Sequence, residues 1–136
     1  SNRFQEFPKV LTEIPSLEGI GLSNNALSAI PPEIASLPKL KTLRLGANQL
    51  KEFPRNLGQS SIEELDLSEN AIKCLPDDAS KFPKHLKKLN LRNNEVTQLP
   101  DWITAMDLKE IDLRGNPIPE QRLKELKAKM PKTRLD

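Results

Sequence analysis

One short segment recurs along the whole chain, and its spacing constrains the fold more than any other feature. Residues 86–96 read L-K-K-L-N-L-R-N-N-E-V. Similar segments, with leucine or isoleucine at the same positions, begin at Leu17, Leu40, Ile62, Leu86 and Leu108. Their asparagines, spaced by 23, 22, 24 and 22 residues, are Asn25, Asn48, Asn70, Asn94 and Asn116. A fixed period in this range is typical of a protein built from stacked repeats.

The alternation of apolar and polar residues in each segment predicts a short strand. Leu89 and Leu91 flank Asn90, so both leucines point to one face, which we expect to be the core. Strands of successive repeats would then stack in parallel at about 4.8 Å. Asn94 follows the strand, where its amide can satisfy backbone groups that an irregular turn leaves unpaired. The repeated asparagines should therefore form a continuous ladder, and one helical or 3₁₀ turn is expected in each short return segment.

The pattern divides the chain into five repeats over residues 17–118 and two different ends. Residues 119–136 are predicted to be a C-terminal helical cap, because Leu123, Leu126 and Met130 lie on one helical face. Pro119 suits the first helical turn, and Pro131 cannot continue the helix.

Residues 1–16 are interpreted as a partial repeat or an N-terminal cap. Asn2 precedes Asn25 by 23 residues and belongs to the same series. We expect a piece of a longer repeat protein, and the alternative is an irregular cap built from the apolar residues of this segment. A solenoid end otherwise needs a polar cover for its apolar core.

The charge and cysteine content of the chain indicate which partners and which compartment to expect. Twenty-one basic and 19 acidic residues give a net charge of +2, which does not indicate nucleic acid or an anionic membrane as partner. The one cysteine, Cys74, cannot form an intrachain disulfide, which favours a reducing compartment. We therefore expect an intracellular, cytoplasmic protein, with the nucleus also open. No stretch approaches the roughly 18 apolar residues that span a membrane.

The repeated pattern L-x-x-L-x-L-x-x-N-x-L-x-x-L-P resembles the leucine-rich repeat family in its intracellular form of 22–24 residues. The resemblance covers nearly the whole chain, from Asn2 to the C-terminal cap. It implies an α/β fold, a curved right-handed solenoid or horseshoe with a parallel β-sheet on its concave side. It also implies that the chain binds another protein on that concave face.

If the strands line the concave face, the residues between their leucines point to solvent there. The candidate partner-binding residues are Arg44, Glu64, Asp66, Lys88, Asn90, Arg92, Asp112 and Arg114. Arg92 and Arg114 would be lateral neighbours able to hold a carboxylate or phosphate of the partner. The alternative is that these charges only solvate the sheet and pair across strands.

Other chemistry-bearing residues have simpler explanations. Trp102, the only tryptophan, is expected to cover the apolar edge of the neighbouring repeat, and the alternative is an exposed anchor for a second partner. His85 and Cys74 have no cluster of ligands or base at useful spacing, so we expect no metal site, no cofactor and no catalytic residue. The pattern contains no phosphate-binding loop and no nucleophile–base arrangement.

These observations favour a non-catalytic protein–protein interaction module that serves as an adaptor or regulatory scaffold. We expect the chain itself to be monomeric and to bind a protein partner. Two alternatives stay open. Residues 120–136 carry six basic and three acidic residues, so this basic cap could contact RNA or a ribonucleoprotein, although no aromatic residues are interleaved with the cations. The chain could also be the targeting domain of a larger enzyme.

Overall fold

Each repeat begins with one short strand, because alternating leucines bury one face of a three-residue segment while the return segment folds back behind it. The computed structural model describes residues 3–136, so Asn2 lies outside the described residues. The strands are β1 (Gly19–Gly21), β2 (Thr42–Arg44), β3 (Glu64–Asp66), β4 (Lys88–Asn90), β5 (Glu110–Asp112) and β6 (Arg134–Leu135). The one α-helix is α1 (Glu120–Lys129). The 3₁₀ helices are Lys9–Glu13, Pro32–Ser36, Leu57–Gln59, Ala79–Lys81 and Asp101–Ala105.

The strands form one parallel sheet in chain order, β1 to β6. Its register places the central apolar residue of each strand beside that of the next. This buried column is Ile20, Leu43, Leu65, Leu89, Ile111 and Leu135. The second leucines of the motif, such as Leu45, Leu67 and Leu91, are also fully buried. One continuous core therefore runs the length of the stack, as the pattern predicted.

The first four 3₁₀ helices contact one another in chain order. Three aromatic rings of the return segments pack together. The ring centroids of Phe53 and Phe82 are 5.5 Å apart, and those of Phe82 and Trp102 are 5.1 Å apart. Trp102 therefore packs against the neighbouring repeat, in line with the first of the two interpretations above. Its buried Nε1 has no hydrogen-bond partner among the described residues.

The asparagines form a ladder that joins each repeat to the one before it. The Asn94 side chain donates to the carbonyls of Leu91, in its own repeat, at 3.0 Å and Leu67, in the previous repeat, at 2.9 Å. Its Oδ1 accepts from the backbone N–H of Ile72 at 3.0 Å. Asn48, Asn70 and Asn116 make the corresponding bonds. Asn25 accepts from the N–H of Phe4 at 3.0 Å. One side chain thus satisfies three backbone groups at every turn.

The residue before each ladder asparagine adopts a left-handed backbone conformation. The φ angles lie between 54° and 75° at Asn24, Ala47, Glu69, Asn93 and Gly115. Only glycine takes this conformation without steric cost, and asparagine tolerates it better than most residues. Ala47 and Glu69 are therefore held there by the repeat on either side.

The C-terminal segment contains both the predicted helix and a strand that the pattern did not reveal. Helix α1 ends at Lys129, one residue before the predicted end, and buries Leu126 against the last repeat. The chain then returns to the sheet, where β6 pairs with β5. The N–H of Leu113 donates to the carbonyl of Asp136 at 2.7 Å. The cap therefore continues the sheet as well as covering the core.

The N-terminal end is less completely covered. Phe7 is buried, and the N–H of Ala26 donates to the carbonyl of Phe4 at 2.8 Å. Phe4, Val10 and Ile14 are nevertheless exposed. Residues 3–16 thus make repeat-like contacts on their inner side only.

The ladder predicts a stability cost for removing one amide. Asn94→Ala leaves two carbonyls and one N–H without this partner in a buried turn, so we expect the free energy of unfolding to fall by about 1–3 kcal/mol. Urea denaturation followed by circular dichroism measures this. Gln98→Ala, at an exposed polar side chain, is the matched control. A loss no larger than that of the control would contradict the role assigned to the ladder.

A second prediction concerns a close approach between two return segments at Gly58. A methyl group added at Gly58 would overlap the backbone carbonyl of Ser80 in the next repeat. Gly58→Ala should therefore destabilise the protein by roughly 1–3 kcal/mol, since backbone on both sides must shift. Gly21→Ala is the control, because a methyl group there meets nothing within 4 Å. Equal thermal midpoints for the two variants would refute this assignment.

Candidate functional site on the concave face

The solvent face of the sheet is organised into three columns, one residue of each strand region per column. The first column is Gly19, Thr42, Glu64, Lys88, Glu110 and Arg134. The second is Gly21, Arg44, Asp66, Asn90, Asp112 and Asp136. The third, just after the strands, is Ser23, Gly46, Ser68, Arg92 and Arg114. The eight predicted partner-binding residues all lie in these columns.

This face is hollow along most of its length. A depression of about 280 Å³ is lined by side chains from β2 to β6 and by Arg114. Seven of the eight predicted residues line it, and Arg92 is the exception. The sheet is thus concave on the side where the polar columns lie, and its charged side chains surround one shared space.

Charges in the first column alternate in sign from β3 to β6. Lys88 lies between Glu64 and Glu110 in the register. Its Nζ is 4.0 Å from the Oε1 of Glu64. Such exposed pairs contribute roughly 0–1 kcal/mol. This column is therefore weakly held and can exchange its internal contacts for contacts with a ligand.

The acidic and amide residues of the second column have a local structural role. Asp66 Oδ1 accepts from the N–H of Ser68 at 2.9 Å and from its hydroxyl at 2.7 Å. Asn90 Oδ1 accepts in the same way from the N–H of Arg92 at 3.0 Å. Each side chain thus bonds to the backbone two residues on, a turn that aspartate and asparagine favour. Part of their hydrogen-bonding capacity is already used.

Asp112 makes a further contact, because its carboxylate also binds the guanidinium of Arg114. Arg114 donates from Nε and from a terminal nitrogen to the two carboxylate oxygens, at 3.0 and 2.7 Å. This hydrogen bonding lowers the pKa of Asp112 below its ordinary value and raises the pKa of Arg114. The predicted pairing of Arg92 with Arg114 around an anion would have to compete with this bidentate contact.

Among the predicted cationic residues, Arg44 and Arg92 have the fewest polar contacts with the rest of the protein. Both are exposed, and neither side chain makes an ion pair or hydrogen bond within residues 3–136. Arg44 lies beside Asp66 in the register, although no salt bridge forms between them. Beyond Arg44 the face ends in Gly19 and Gly21 of β1, where the backbone itself is open to solvent.

Two further charged residues on this face were not predicted. Arg134 and Asp136 line the hollow because β6 extends the sheet. Arg134 is paired with Asp136 at 3.2 Å. The segment carries only one apolar residue at the required position, Leu135, so the repeat pattern gave no signal for it. Alternation in Thr133-Arg134-Leu135-Asp136 is the one hint that was present.

The remaining candidates of the sequence do not gather into a second site. Cys74 and His85 are both exposed and lie in the same repeat, with no other metal-ligating or catalytic side chain grouped around them in the described residues. Within residues 3–136, no group of three or more His, Cys, Asp or Glu side chains is arranged to hold a metal ion. No helix in that range is long and apolar enough to cross a membrane. In the basic cap, Arg122 is engaged by Asp101 at 3.1 Å and Glu125 at 3.3 Å.

The Asp112–Arg114 contact predicts a pH-dependent contribution to stability. The carboxylate pKa is depressed from 3.8, so the contribution is present above that value and is lost as the pH falls through the lowered pKa. Asp112→Asn keeps an acceptor for the turn, as Asn90 shows, but removes the charge. We expect it to lower the free energy of unfolding by about 0.2–1 kcal/mol near neutral pH, and to make no difference in strong acid.

The matched control for this measurement is Asp77→Asn, at an exposed carboxylate outside the sheet. Urea denaturation of both variants and the parent at several pH values measures the difference. A pH-independent difference for Asp112→Asn would show that the ion pair is not its cause.

Comparison with known proteins identifies the repeat. Two family profiles match, one described as "Leucine Rich repeats (2 copies)" over residues 15–57 and one as "Leucine rich repeat" over residues 60–118. A leucine-rich repeat protein of Leptospira interrogans has the same fold, with a TM-score of 0.90 and 32% identity. The match covers 99% of this chain and 35% of that one. The predicted solenoid fold is thereby confirmed.

The curated relatives are much longer proteins. The leucine-rich repeat-containing G-protein coupled receptor 6 of Homo sapiens is 31% identical over 140 residues, which is 84% of this chain and 14% of the receptor. A probable serine/threonine-protein kinase, pats1, of Dictyostelium discoideum is 33% identical over 118 residues, or 78% of this chain and 4% of the kinase. Leucine-rich repeat domains are in general protein–protein interaction modules. The chain belongs to the leucine-rich repeat family.

Proposed function

We propose that this domain is a non-catalytic interaction module whose concave face binds a protein partner. The observation that carries the proposal is the exposure of charged side chains that the stack does not need. Arg44 lines the hollow and Arg92 follows β4, and neither side chain makes an ion pair or hydrogen bond within the described structure. Neighbouring strands already fix their backbone, so binding must order only the side chains, which favours recognition.

The chemistry of the face supports a polar, electrostatically guided contact. Its columns combine Glu64 and Asp66 on β3 with Lys88 and Arg92 in the next repeat, so acidic and basic residues of neighbouring repeats lie side by side. Charge complementarity of this kind contributes mainly to association rate and to choice of partner. The aromatic residues that commonly anchor tight interfaces do not occur in the three columns, so we expect an interaction of moderate affinity that weakens with salt.

A scaffold role is favoured over catalysis by the way the titratable groups are distributed. The acidic groups of the concave face are used in turns and in ion pairs, as at Asp66 and Asp112. A kinase is among the relatives, and this chain matches only a small part of it. The second candidate function is therefore a targeting role for this domain within a larger enzyme.

We further propose that the domain works in a reducing, intracellular compartment as a monomer. The support is chemical: Cys74 is exposed as a free thiol and the fold uses no disulfide in its described part. Such a thiol is better preserved where glutathione and thioredoxin keep cysteines reduced.

The concave-face proposal is tested by reversing its two free cations. The partner is first captured from lysate with the tagged domain and then purified for titration calorimetry. Arg44→Glu combined with Arg92→Glu should weaken binding about tenfold or more, because attraction at two contacts becomes repulsion. The matched control is Lys51→Glu with Lys73→Glu, the same charge change away from the sheet. Unchanged affinity in the Arg44/Arg92 variant, with an intact thermal midpoint, would rule out this face.

A further inference from the structure

The edge of the sheet where the strands begin carries a concentration of positive charge. The five residues before each of β2 to β6 are residues 37–41, 59–63, 83–87, 105–109 and 129–133. Together they contain seven lysines and two acidic residues, a net charge of +5, although the whole chain carries only +2. We call these lysines the basic rim. They are Lys39, Lys41, Lys84, Lys87, Lys109, Lys129 and Lys132. All are exposed.

The opposite edge of the sheet shows that this charge is not a general property of the repeats. The segments that follow β2 to β5, residues 46–49, 68–71, 92–95 and 114–117, carry Arg92 and Arg114 against Glu69 and Glu95. Their net charge is zero. Stacking requires the asparagines at that edge and leucines at both, but it does not require lysine at either.

Internal ion pairs neutralise only part of the rim. Glu63 bridges Lys41 at 3.8 Å and Lys87 at 3.3 Å. Lys109, Lys129 and Lys132 make no ion pair within residues 3–136. Lys129 lies in the last turn of α1, where a cation also stabilises the helix dipole. That explanation does not extend to Lys109 or Lys132, which lie outside the helix.

A groove that is partly lined by apolar side chains lies beside Lys109, Lys129 and Lys132. It has a volume of about 330 Å³ and lies between the last repeat and the cap. Its apolar lining consists of Met106, Leu108, Met130 and Pro131. Methionine side chains are flexible and polarisable, so they adapt to different apolar groups. The charged lining of the groove consists of Lys109, Lys129, Lys132 and Asp107, a net charge of +2. The groove therefore combines a positive lining with apolar side chains that can contact one apolar side chain of a ligand.

We propose that the basic rim is a second docking surface, separate from the concave face, for an acidic segment of a protein partner that carries an apolar residue. The rim supplies the complementary charge, and the groove beside Lys109 and Lys132 receives the apolar side chain. An acidic protein segment is favoured over RNA because these segments contain no Phe, Tyr or Trp on which bases could stack.

The test uses a defined probe and the whole chain. A fluorescein-labelled synthetic peptide of aspartates and glutamates around a central leucine is titrated with protein, and anisotropy is recorded. Lys109→Glu with Lys132→Glu should weaken binding about tenfold or more. Replacing the peptide's leucine by serine should also weaken it, by about fivefold or more, since an apolar contact is lost. Lys109→Ala with Lys132→Ala removes the charges without reversing them and should show an intermediate loss.

Two variants with the same change in net charge serve as controls. Arg44→Glu with Arg92→Glu alters the concave face, and Lys51→Glu with Lys73→Glu alters another surface. Both should bind the peptide within about twofold of the parent, because exposed charges beyond a Debye length of roughly 8 Å are largely screened at physiological salt. Failure of the concave-face proposal would leave this result unchanged.

Three outcomes would overturn the proposal. One is an equal loss in all three charge-reversal variants, which would indicate attraction by net charge alone. The second is equal binding of the leucine and serine peptides, which would exclude the groove. The third is tighter binding of single-stranded oligouridine than of the peptide, lost in the Lys109/Lys132 variants, which would assign the rim to nucleic acid.

Discussion

The whole structure depends on how each turn satisfies its backbone polar groups. A three-residue strand is too short to end in regular hydrogen bonding, and the chain must reverse within a few residues while remaining against the core. The asparagine amide solves this by bonding both to its own strand end and to the previous repeat. Buried backbone groups left unpaired would each cost about as much as a hydrogen bond is worth, so the turn is possible only in a stack.

That requirement separates the residues that build the fold from those free to recognise something else. Leucines and asparagines are used by the stack, and the glycine at 58 is used by the contact with Ser80. The charges on the concave face and on the basic rim are additions to this frame. The two surfaces differ in kind: the concave columns mix both signs and satisfy part of their own hydrogen bonding, whereas the rim carries one sign and keeps several lysines unpaired. Both are nevertheless positioned by the same rigid backbone.

The repeat pattern predicted what depends on local periodicity and missed what depends on contacts distant in sequence. The buried column through Leu65 and Leu89 and helix α1 follow from spacing alone, whereas spacing predicted one helical or 3₁₀ turn in each return segment without choosing between them. Strand β6 did not, since one leucine at position 135 becomes a strand only by pairing with β5. The bidentate contact between Asp112 and Arg114 could not be predicted either, because spacing places side chains on a face without fixing their rotamers. The left-handed turn at Glu69 likewise contradicts that residue's own preference.

The ladder also gives the stack a direction. Each asparagine reaches back to the repeat before it, and the described ladder has no equivalent side chain reaching forward. Separating two repeats exposes strand backbone groups on both sides. At the ladder, however, the two sides differ: the later repeat keeps the asparagine side chain, and the earlier repeat keeps the backbone N–H and C=O groups that this side chain had bonded. A solenoid of this kind is chemically polar along its axis, much as a filament has two unlike ends.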